Sequence, residues 1–174
     1  MAMEKKYTIV VNIGSESKKY ALYSDVERIF FVHFEKENDK YVVTIEAEQN
    51  KQYFNINQND YINALGAVIK YASSFGISAV RENIDGIGVR IVAPGTFFTD
   101  HRKINDEYLE KLKSAQKIAP LHIAPVLDEI KSLRSMFPAT TIFGISDSEF
   151  HKNIPRWARL YSIPNRDAER FDIY

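Results

Sequence analysis

The chain contains no cysteine among its 174 residues. This absence excludes disulfide bonds, thiol nucleophiles and thiolate metal sites, and it suits a reducing compartment. Net charge is absent too, because 23 basic and 23 acidic side chains cancel. Proteins that bind nucleic acids or anionic membranes usually present a basic surface, so we expect neither kind of partner. A small-molecule partner fits this composition better.

Long apolar runs are also missing. No stretch approaches the roughly 20 residues of a membrane span, and the amino-terminal sequence MAMEKKYT lacks the apolar centre of a signal peptide. We therefore predict a cytoplasmic location. Hydrophobic residues still make up 45% of the chain, which is enough to bury a sizeable core, and the length predicts one domain.

The first part of the chain is predicted to be β-structure. The continuous apolar run at residues 7–13 is typical of a central strand that is buried on both faces. Three further β-type runs with a turn at Asn38-Asp39 predict an antiparallel meander. These runs cover residues 19–24, 28–35 and 41–48.

Helices and strands alternate in the second part. Helical spacing over residues 57–77 ends at Gly76, and a later helix begins near Pro125 and turns Leu127, Ile130, Leu133 and Phe137 inward. The other predicted elements are strands at 84–93 and 140–145 and a helix at 105–119. This order predicts the mixed α/β class, with a mixed sheet and helices on its faces. Because such sheets bind ligands beyond the carboxyl ends of strands, we expect Asn12, residues 93–95 and Asp147 to line one cleft.

Two polar features interrupt predicted strands. Asn12 precedes a Gly14 turn, and its amide either bonds to the turn backbone or faces a ligand. The turn is either an ordinary hairpin or a phosphate cradle. Arg90 lies among apolar residues, so it either points to a wet sheet face or grips a carboxylate or phosphoryl group.

Two further residues have both structural and functional interpretations. His122 lies between two predicted helices, where it either caps and packs or acts in chemistry. Asp147 follows a buried strand and either caps the next helix or orients a substrate or metal-bound water. Neither residue decides the function alone.

In this order, the motifs resemble the amino-terminal part of the acetate kinase family. The matching segments are VNIGSESKKYALY, GVRIVAPG, APLH at residues 119–122, SDSEFHKNIP, and LYSIP near the end. The resemblance implies one lobe of the actin-like, ribonuclease-H-like architecture. It also implies ATP-dependent, magnesium-assisted phosphorylation of acetate or another short-chain carboxylate, in a protein whose full-length form is a homodimer.

The resemblance also implies roles for individual residues. Arg90 would grip the carboxylate or the phosphoryl in flight, His122 would donate to that phosphoryl, and Asp147 would orient substrate or metal. Val92 and Leu121 would line an apolar pocket for the acyl methyl group. On the phosphate side, Asn12 would order phosphate and magnesium, with Ser15, Ser17 and Lys19 beside it.

The sequence departs from the family pattern near these positions. Val89 replaces a histidine, Ala93-Pro94 replace a His-Gly pair, and Ile123-Ala124 replace Asn-Pro. We expect each exchange to remove a polar group or flexible backbone near the cleft, with altered substrate preference or reduced activity as the result.

The extent of the resemblance predicts a single acyl-substrate lobe over residues 1–174, without the nucleotide-binding lobe, and therefore a fragment that is inactive alone. One alternative is a kinase-derived module that binds a small carboxylate or phosphate without turnover. A ribonuclease-H-like nuclease would need clustered carboxylates for two metals, whereas only Asp147 presents itself.

Overall fold

A computed structural model describes residues 5–77, 80–151, 153–155 and 164–172. The strands are β1 (Tyr7–Ile13), β2 (Ser17–Ser24), β3 (Glu27–Glu37), β4 (Lys40–Ala47), β5 (Asn50–Ile56), β6 (Ile84–Ile91), β7 (Arg102–Lys103) and β8 (Thr141–Ser146). The helices are α1 (Gln58–Ile62), α2 (Ala64–Ser74), α3 (Asp106–Gln116), α4 (Pro120–Met136), α5 (Asp147–Phe150) and α6 (Asn165–Phe171), and a 3-10 turn covers Thr96–Phe98.

All eight strands belong to one mixed sheet. Their order is β5-β4-β3-β2-β1-β6-β8-β7. The predicted meander is confirmed, since β1 to β5 pair antiparallel in sequence order. The strands β1, β6 and β8 run parallel to one another, so their carboxyl ends meet at one edge of the sheet. The predicted mixed α/β class is therefore confirmed.

The prediction that β1 is buried on both faces is wrong. Ile9 and Val11 are fully buried, whereas Val10 between them is 40% exposed. The physical reason is that α2, α3 and α4 share one core with Ile9 and Val11, so their apolar side chains cover a single face of the sheet. We call this the covered face, and we call the opposite side, onto which Val10 points, the open face.

The helix carrying Pro125 begins earlier than predicted. Pro120 occupies its first turn, and Pro125 lies inside the helix, where its missing N–H removes one backbone hydrogen bond. The inward residues are as predicted, because Leu127, Ile130 and Leu133 are buried and Phe137 packs at the helix end.

The predicted helix at residues 57–77 is two helices, α1 and α2, with Asn63 between them. It ends before Gly76, whose φ of 80° is the left-handed conformation expected of a helix-ending glycine. Strand β5 was not predicted, because six of its seven residues are exposed and give no alternating pattern. Within the described ranges, no helix has the length and apolarity to cross a bilayer.

Candidate functional site

Three polar side chains meet where the parallel strands end. Asn12 is the second-to-last residue of β1, Arg90 the second-to-last of β6, and Asp147 follows β8 directly. Val11 lies opposite Val89 across the strands, which brings the next residues, Asn12 and Arg90, side by side. Because side chains alternate along a strand, both point to the open face. Of the residues expected to line one cleft, Asn12 and Asp147 lie together with Arg90 between them. Pro94 and Gly95 line a separate groove, so the prediction holds only in part.

An ion pair organises this edge. The Nε and Nη2 atoms of Arg90 donate to Oδ1 of Asp147 at 2.8 and 2.7 Å. The Nη1 atom makes a longer contact of 3.5 Å with Oδ1 of Asn12. The side chains of Arg90 and Asp147 are 46% and 31% exposed, so the pair lies at the surface and is reachable from solvent. Strand alternation thus places Arg90 on the open face, and Asp147 holds it there.

The guanidinium of Arg90 retains unused donors. A guanidinium has five N–H groups, and the contacts with Asp147 and Asn12 occupy one on Nε, one on Nη2 and one on Nη1. One N–H on each terminal nitrogen has no protein acceptor among the described residues. Both remaining N–H groups lie in the guanidinium plane and can donate to a carboxylate or a phosphoryl oxygen.

Ser146 anchors the turn that carries Asp147, and our sequence analysis did not select it. Its hydroxyl accepts from the Glu149 N–H at 3.0 Å and donates to the Phe98 carbonyl at 2.5 Å. The cap of α5 is therefore Ser146, and Asp147 is the first helical residue. The signal was present in the sequence, because Ser146 and Glu149 have the Ser-x-x-Glu spacing of a capping box.

The β1–β2 hairpin lies beside this ion pair. The Gly14 N–H donates to the Ser17 carbonyl at 2.8 Å and closes the turn, with Ser15 exposed and Ser17 half-buried. Lys19 lies opposite Asn12 and shares the open face. Lys18 points to the covered face, where its Nζ donates to the Ile62 carbonyl at 3.2 Å. Lys19 is therefore the lysine that borders the site.

The third strand adds a neutral histidine to the same row. His33 lies opposite Lys19 across β2 and β3. Burial lowers the pKa of His33; nearby Glu35 opposes this effect and Lys19 reinforces it. His33 is thus neutral at pH 7, and the positive charge beside Asn12 comes from Lys19 and Arg90.

The residues expected to complete the site lie at the surface near the start of α4 and after β6. Leu121 is 74% exposed and His122 is also exposed. Within the described part of the chain, no hydrogen bond or ion pair joins the His122 side chain to Arg90 or Asp147. Val92 is 47% exposed, two residues beyond Arg90. A closer apolar neighbour is Ile145, which pairs with Arg90 across β6 and β8.

Two of the departures from the family pattern do not lie in the cleft. Val89 is fully buried on the covered face, and Ile123 is 1% exposed in the same core. Our expectation that these exchanges remove polar groups from the cleft is therefore wrong for both positions. Alternation explains the error for Val89, because its side chain points away from that of its neighbour Arg90.

Oxygen ligands for a hard cation are few at this edge. Among the described residues, no group of three or more His, Cys, Asp or Glu side chains is placed to hold a metal ion. Asn12 and Asp147 each offer an oxygen atom. Mg²⁺ is usually held by one or two carboxylates together with phosphate oxygens and water, so these two residues fit as part of its ligand set.

Comparison with known proteins identifies the family. The acetokinase family profile matches residues 7–174. The acetate kinase of Shouchella clausii is 31% identical over 168 residues, which cover 95% of this chain and 42% of the relative. The acetate kinase of Bacillus subtilis is 28% identical with the same coverage. This chain thus spans less than half the length of these relatives.

Solved structures agree on the fold. A propionate kinase from Francisella tularensis superposes with a TM-score of 0.77 at 24% identity, covering 95% of this chain and 43% of that one. The Porphyromonas gingivalis acetate kinase gives a TM-score of 0.77 at 20% identity. The expected actin-like ATPase fold is confirmed. The sheet, the motifs and the profile match together place this chain in the acetokinase family.

Proposed function

We propose that residues 1–174 are the carboxylate-binding lobe of an ATP-dependent short-chain carboxylate kinase. The single observation that carries the proposal is Arg90, which Asp147 holds at the strand ends with one N–H on each terminal nitrogen unused. Membership in the acetokinase family supports an acyl phosphate as the product. Acetate and propionate are the candidate acceptors, because relatives named for each are similar to this chain.

The reaction needs positioning more than covalent help from the protein. A carboxylate oxygen attacks the γ-phosphorus of ATP, the bond from that phosphorus to the bridging oxygen breaks, and its electron pair leaves with ADP. No proton moves, because the nucleophile is already ionised at neutral pH. The protein therefore has to orient the carboxylate and to place donors around the equatorial phosphoryl oxygens.

Each residue of the site has a role in this proposal. Arg90 would donate hydrogen bonds to the carboxylate of the substrate and then to the phosphoryl group during its transfer, while Asp147 would fix the orientation of the guanidinium. His122 would donate to the phosphoryl once the substrates bridge the gap to α4. The acyl chain would rest on Val92 and Leu121, and Ile145 beside Arg90 joins them as a contact that we add from the strand register.

The phosphate side belongs to the hairpin. Asn12, Ser15, Ser17 and Lys19 would face the ATP phosphates, and Asn12 with Asp147 would contribute ligands to Mg²⁺. When bound, Mg²⁺ neutralises developing charge on the phosphoryl oxygens. The nucleotide itself would be held mainly by the part of the relatives that this chain does not span.

Location and assembly complete the proposal. A chain without cysteine and with balanced charge suits the cytoplasm, and we propose that location. We also propose that the longer protein is a homodimer, which rests on the family resemblance. The part of the chain seen here would act within that assembly and be catalytically silent alone.

The first test is ligand binding to the 174-residue chain. Acetyl phosphate and acetate are titrated into ¹⁵N-labelled protein, with chemical shifts of residues 12–19, 90 and 145–147 as the readout. Arg90→Ala is expected to weaken acetyl phosphate binding by about 10- to 100-fold, because it removes charge-assisted hydrogen bonds. The matched control is Arg28→Ala, a surface arginine that pairs with Glu46 on the meander. Equal affinity in wild type and Arg90→Ala would refute the assigned site.

The second test is turnover. Acyl phosphate formation from ATP and acetate or propionate is measured for this chain alone and for this chain joined to the remaining part of the Shouchella clausii acetate kinase. Activity is expected only in the joined protein, and Arg90→Ala should abolish it. Binding without turnover in the joined protein would favour the alternative, a binding module descended from a kinase.

A further inference from the structure

A histidine outside the family motifs supports the turn that carries Asp147. His101 lies between the 3-10 turn and β7, and its Nδ1 atom accepts a hydrogen bond of 3.0 Å from the Ser146 N–H. Strand β7 is only two residues long, and its pairs with β8 are Arg102 with Gly144 and Lys103 with Phe143. The backbone pairing of β7 with β8 ends at Gly144, and the His101 imidazole then accepts the hydrogen bond of the Ser146 N–H, two residues further along β8.

The backbone around His101 is fixed on both sides. After it, the Ile104 N–H donates to the Ile142 carbonyl at 2.8 Å. Before it, the ring of Phe98 is buried and packs edge-on against Tyr108, with ring centroids 5.4 Å apart. The Phe98 carbonyl also accepts from the Ser146 hydroxyl. The loop therefore holds Ser146 through its main-chain N–H and through its side chain.

Ser146 transmits this support to the ion pair. Ser146 immediately precedes Asp147, and its hydroxyl caps α5. The position of Ser146 therefore determines the position of the Asp147 side chain. Both bonds from Arg90 to Asp147 end on the single atom Oδ1. A displacement of the turn would disturb both bonds together, because no second carboxylate oxygen shares them.

We propose that His101 is a positioning residue, which through Ser146 holds Asp147 in register with Arg90. The inference rests on the proposed function of Arg90 for its consequence in binding, but its structural part stands without that function. Among the described residues, no hydrogen bond joins His101 to the Arg90 guanidinium, so its effect on Arg90 would be indirect. Its Nδ1 accepts only while it carries no proton, so the imidazole works here as the tautomer with hydrogen on Nε2.

The test uses three variants of the 174-residue chain. His101→Ala removes the acceptor, and His101→Asn keeps an acceptor oxygen at the position of Nδ1. Asp100→Ala is the control, because Asp100 is the preceding residue and contacts Arg102 instead of Ser146. The readouts are hydrogen exchange of the Ser146 amide, hydrogen exchange of the Arg90 Nε–H, acetyl phosphate affinity, and the unfolding temperature.

In His101→Ala, exchange of the Ser146 amide should rise by about five- to tenfold, the effect of losing one hydrogen bond. Exchange at Arg90 Nε–H should rise with it, and acetyl phosphate affinity should fall severalfold. His101→Asn should restore all three toward wild type, which a purely structural loss would not do. Asp100→Ala should match wild type throughout.

Two results would overturn the inference. Unchanged Ser146 and Arg90 exchange in His101→Ala would remove the positioning role, and failure of His101→Asn to restore them would assign the effect to lost packing. If wild type binds no acetyl phosphate, the proposed function fails, while the two exchange rates still decide the role of His101. The two hypotheses are therefore tested separately.

Discussion

The two faces of the central sheet differ in what their side chains touch. On the covered face, Ile9 and Val11 pack beneath α2, α3 and α4 in one continuous core. On the open face, the same strand presents Val10 and Asn12, and Asn12 borders the Arg90–Asp147 ion pair. Neighbouring residues of one strand thus contribute separately to the core and to the proposed site. Variants on the two faces should therefore separate a loss of folding from a loss of binding.

The largest expected effect compares Ile9 with Val10. Ile9→Ala should lower the free energy of unfolding by about 2–5 kcal/mol, because it leaves a cavity in a fully buried site. Val10→Ala, one residue away on the open face, should cost under about 1 kcal/mol. Urea unfolding of both variants measures the difference. Similar losses in the two variants would mean that the open face is buried in solution.

A second comparison uses two glycines of neighbouring strands. A Cβ atom added to Gly144 would lie 2.8 Å from Tyr108 Cζ and closer still to its hydroxyl, whereas one added to Gly86 meets nothing within 4 Å. Gly144→Ala should therefore destabilise the protein by about 1–3 kcal/mol through overpacking. Gly86→Ala is the control and should be neutral or slightly stabilising. Equal unfolding temperatures would contradict the close packing of α3 on β8.

The covered face also contains a buried acid, and its ionisation should reduce stability. Glu129 is 5% exposed, and its Oε1 has no hydrogen-bond partner among the described residues. Burial raises its pKa, opposed by Lys18 and by the neighbouring Tyr20 hydroxyl. The Tyr20 hydroxyl is itself buried without a hydrogen-bond partner among the described residues, so it gives the Glu129 carboxylate no hydrogen bond.

Because the pKa of Glu129 is raised in the folded state, the contribution of this residue to stability is greatest at low pH and is lost as pH rises through the range where it ionises. Glu129→Gln should therefore stabilise the protein at neutral pH by about 1 kcal/mol, which is about 2–4 °C in unfolding temperature for a domain of this size. The gain should shrink on acidification. Thermal unfolding between pH 4 and 8 measures it, and the exposed variant Glu82→Gln should show no such trend.

The smallest stability effect is expected on the open face. A double-mutant cycle of Arg90→Ala and Asp147→Ala should give a coupling free energy of about 0.2–1 kcal/mol, because exposed ion pairs are screened by solvent. The same variants should strongly weaken acetyl phosphate binding. A coupling free energy of several kcal/mol would mean that the ion pair is desolvated and stabilises the fold. The open face would then contribute to stability as the covered face does.

Sequence patterns predicted most of the fold because its elements obey local rules. The meander, α3 and the end of α2 just before Gly76 follow from alternation, amphipathic spacing and a glycine with positive φ. Strand β5 was not predicted from the sequence, because an exposed edge strand needs no alternation of apolar and polar residues. The burial of β1 was overestimated because an apolar run does not tell how many faces the helices will cover.

The candidate site was predictable in part, for a related reason. Asn12, Arg90 and Asp147 were identifiable as polar residues at apolar strand ends, and the topology brings such ends together. Ser146 had a capping signal that could have been used. His101 had none, because its contact depends on how a loop crosses the edge of β8, which no local pattern encodes. Val89 shows that a motif position can belong to the core.

The ion pair at the strand ends also has a consequence for how the protein folds. Arg90 is separated by 78 residues from Asn12 and by 57 from Asp147, so the site closes long loops of chain. Contacts of this range form late and slowly, whereas the hairpins of the meander need only local closure. A partly folded chain that has only the meander would lack the site. The rate at which acetyl phosphate binding appears during refolding would then measure how fast the parallel strands of the sheet come together.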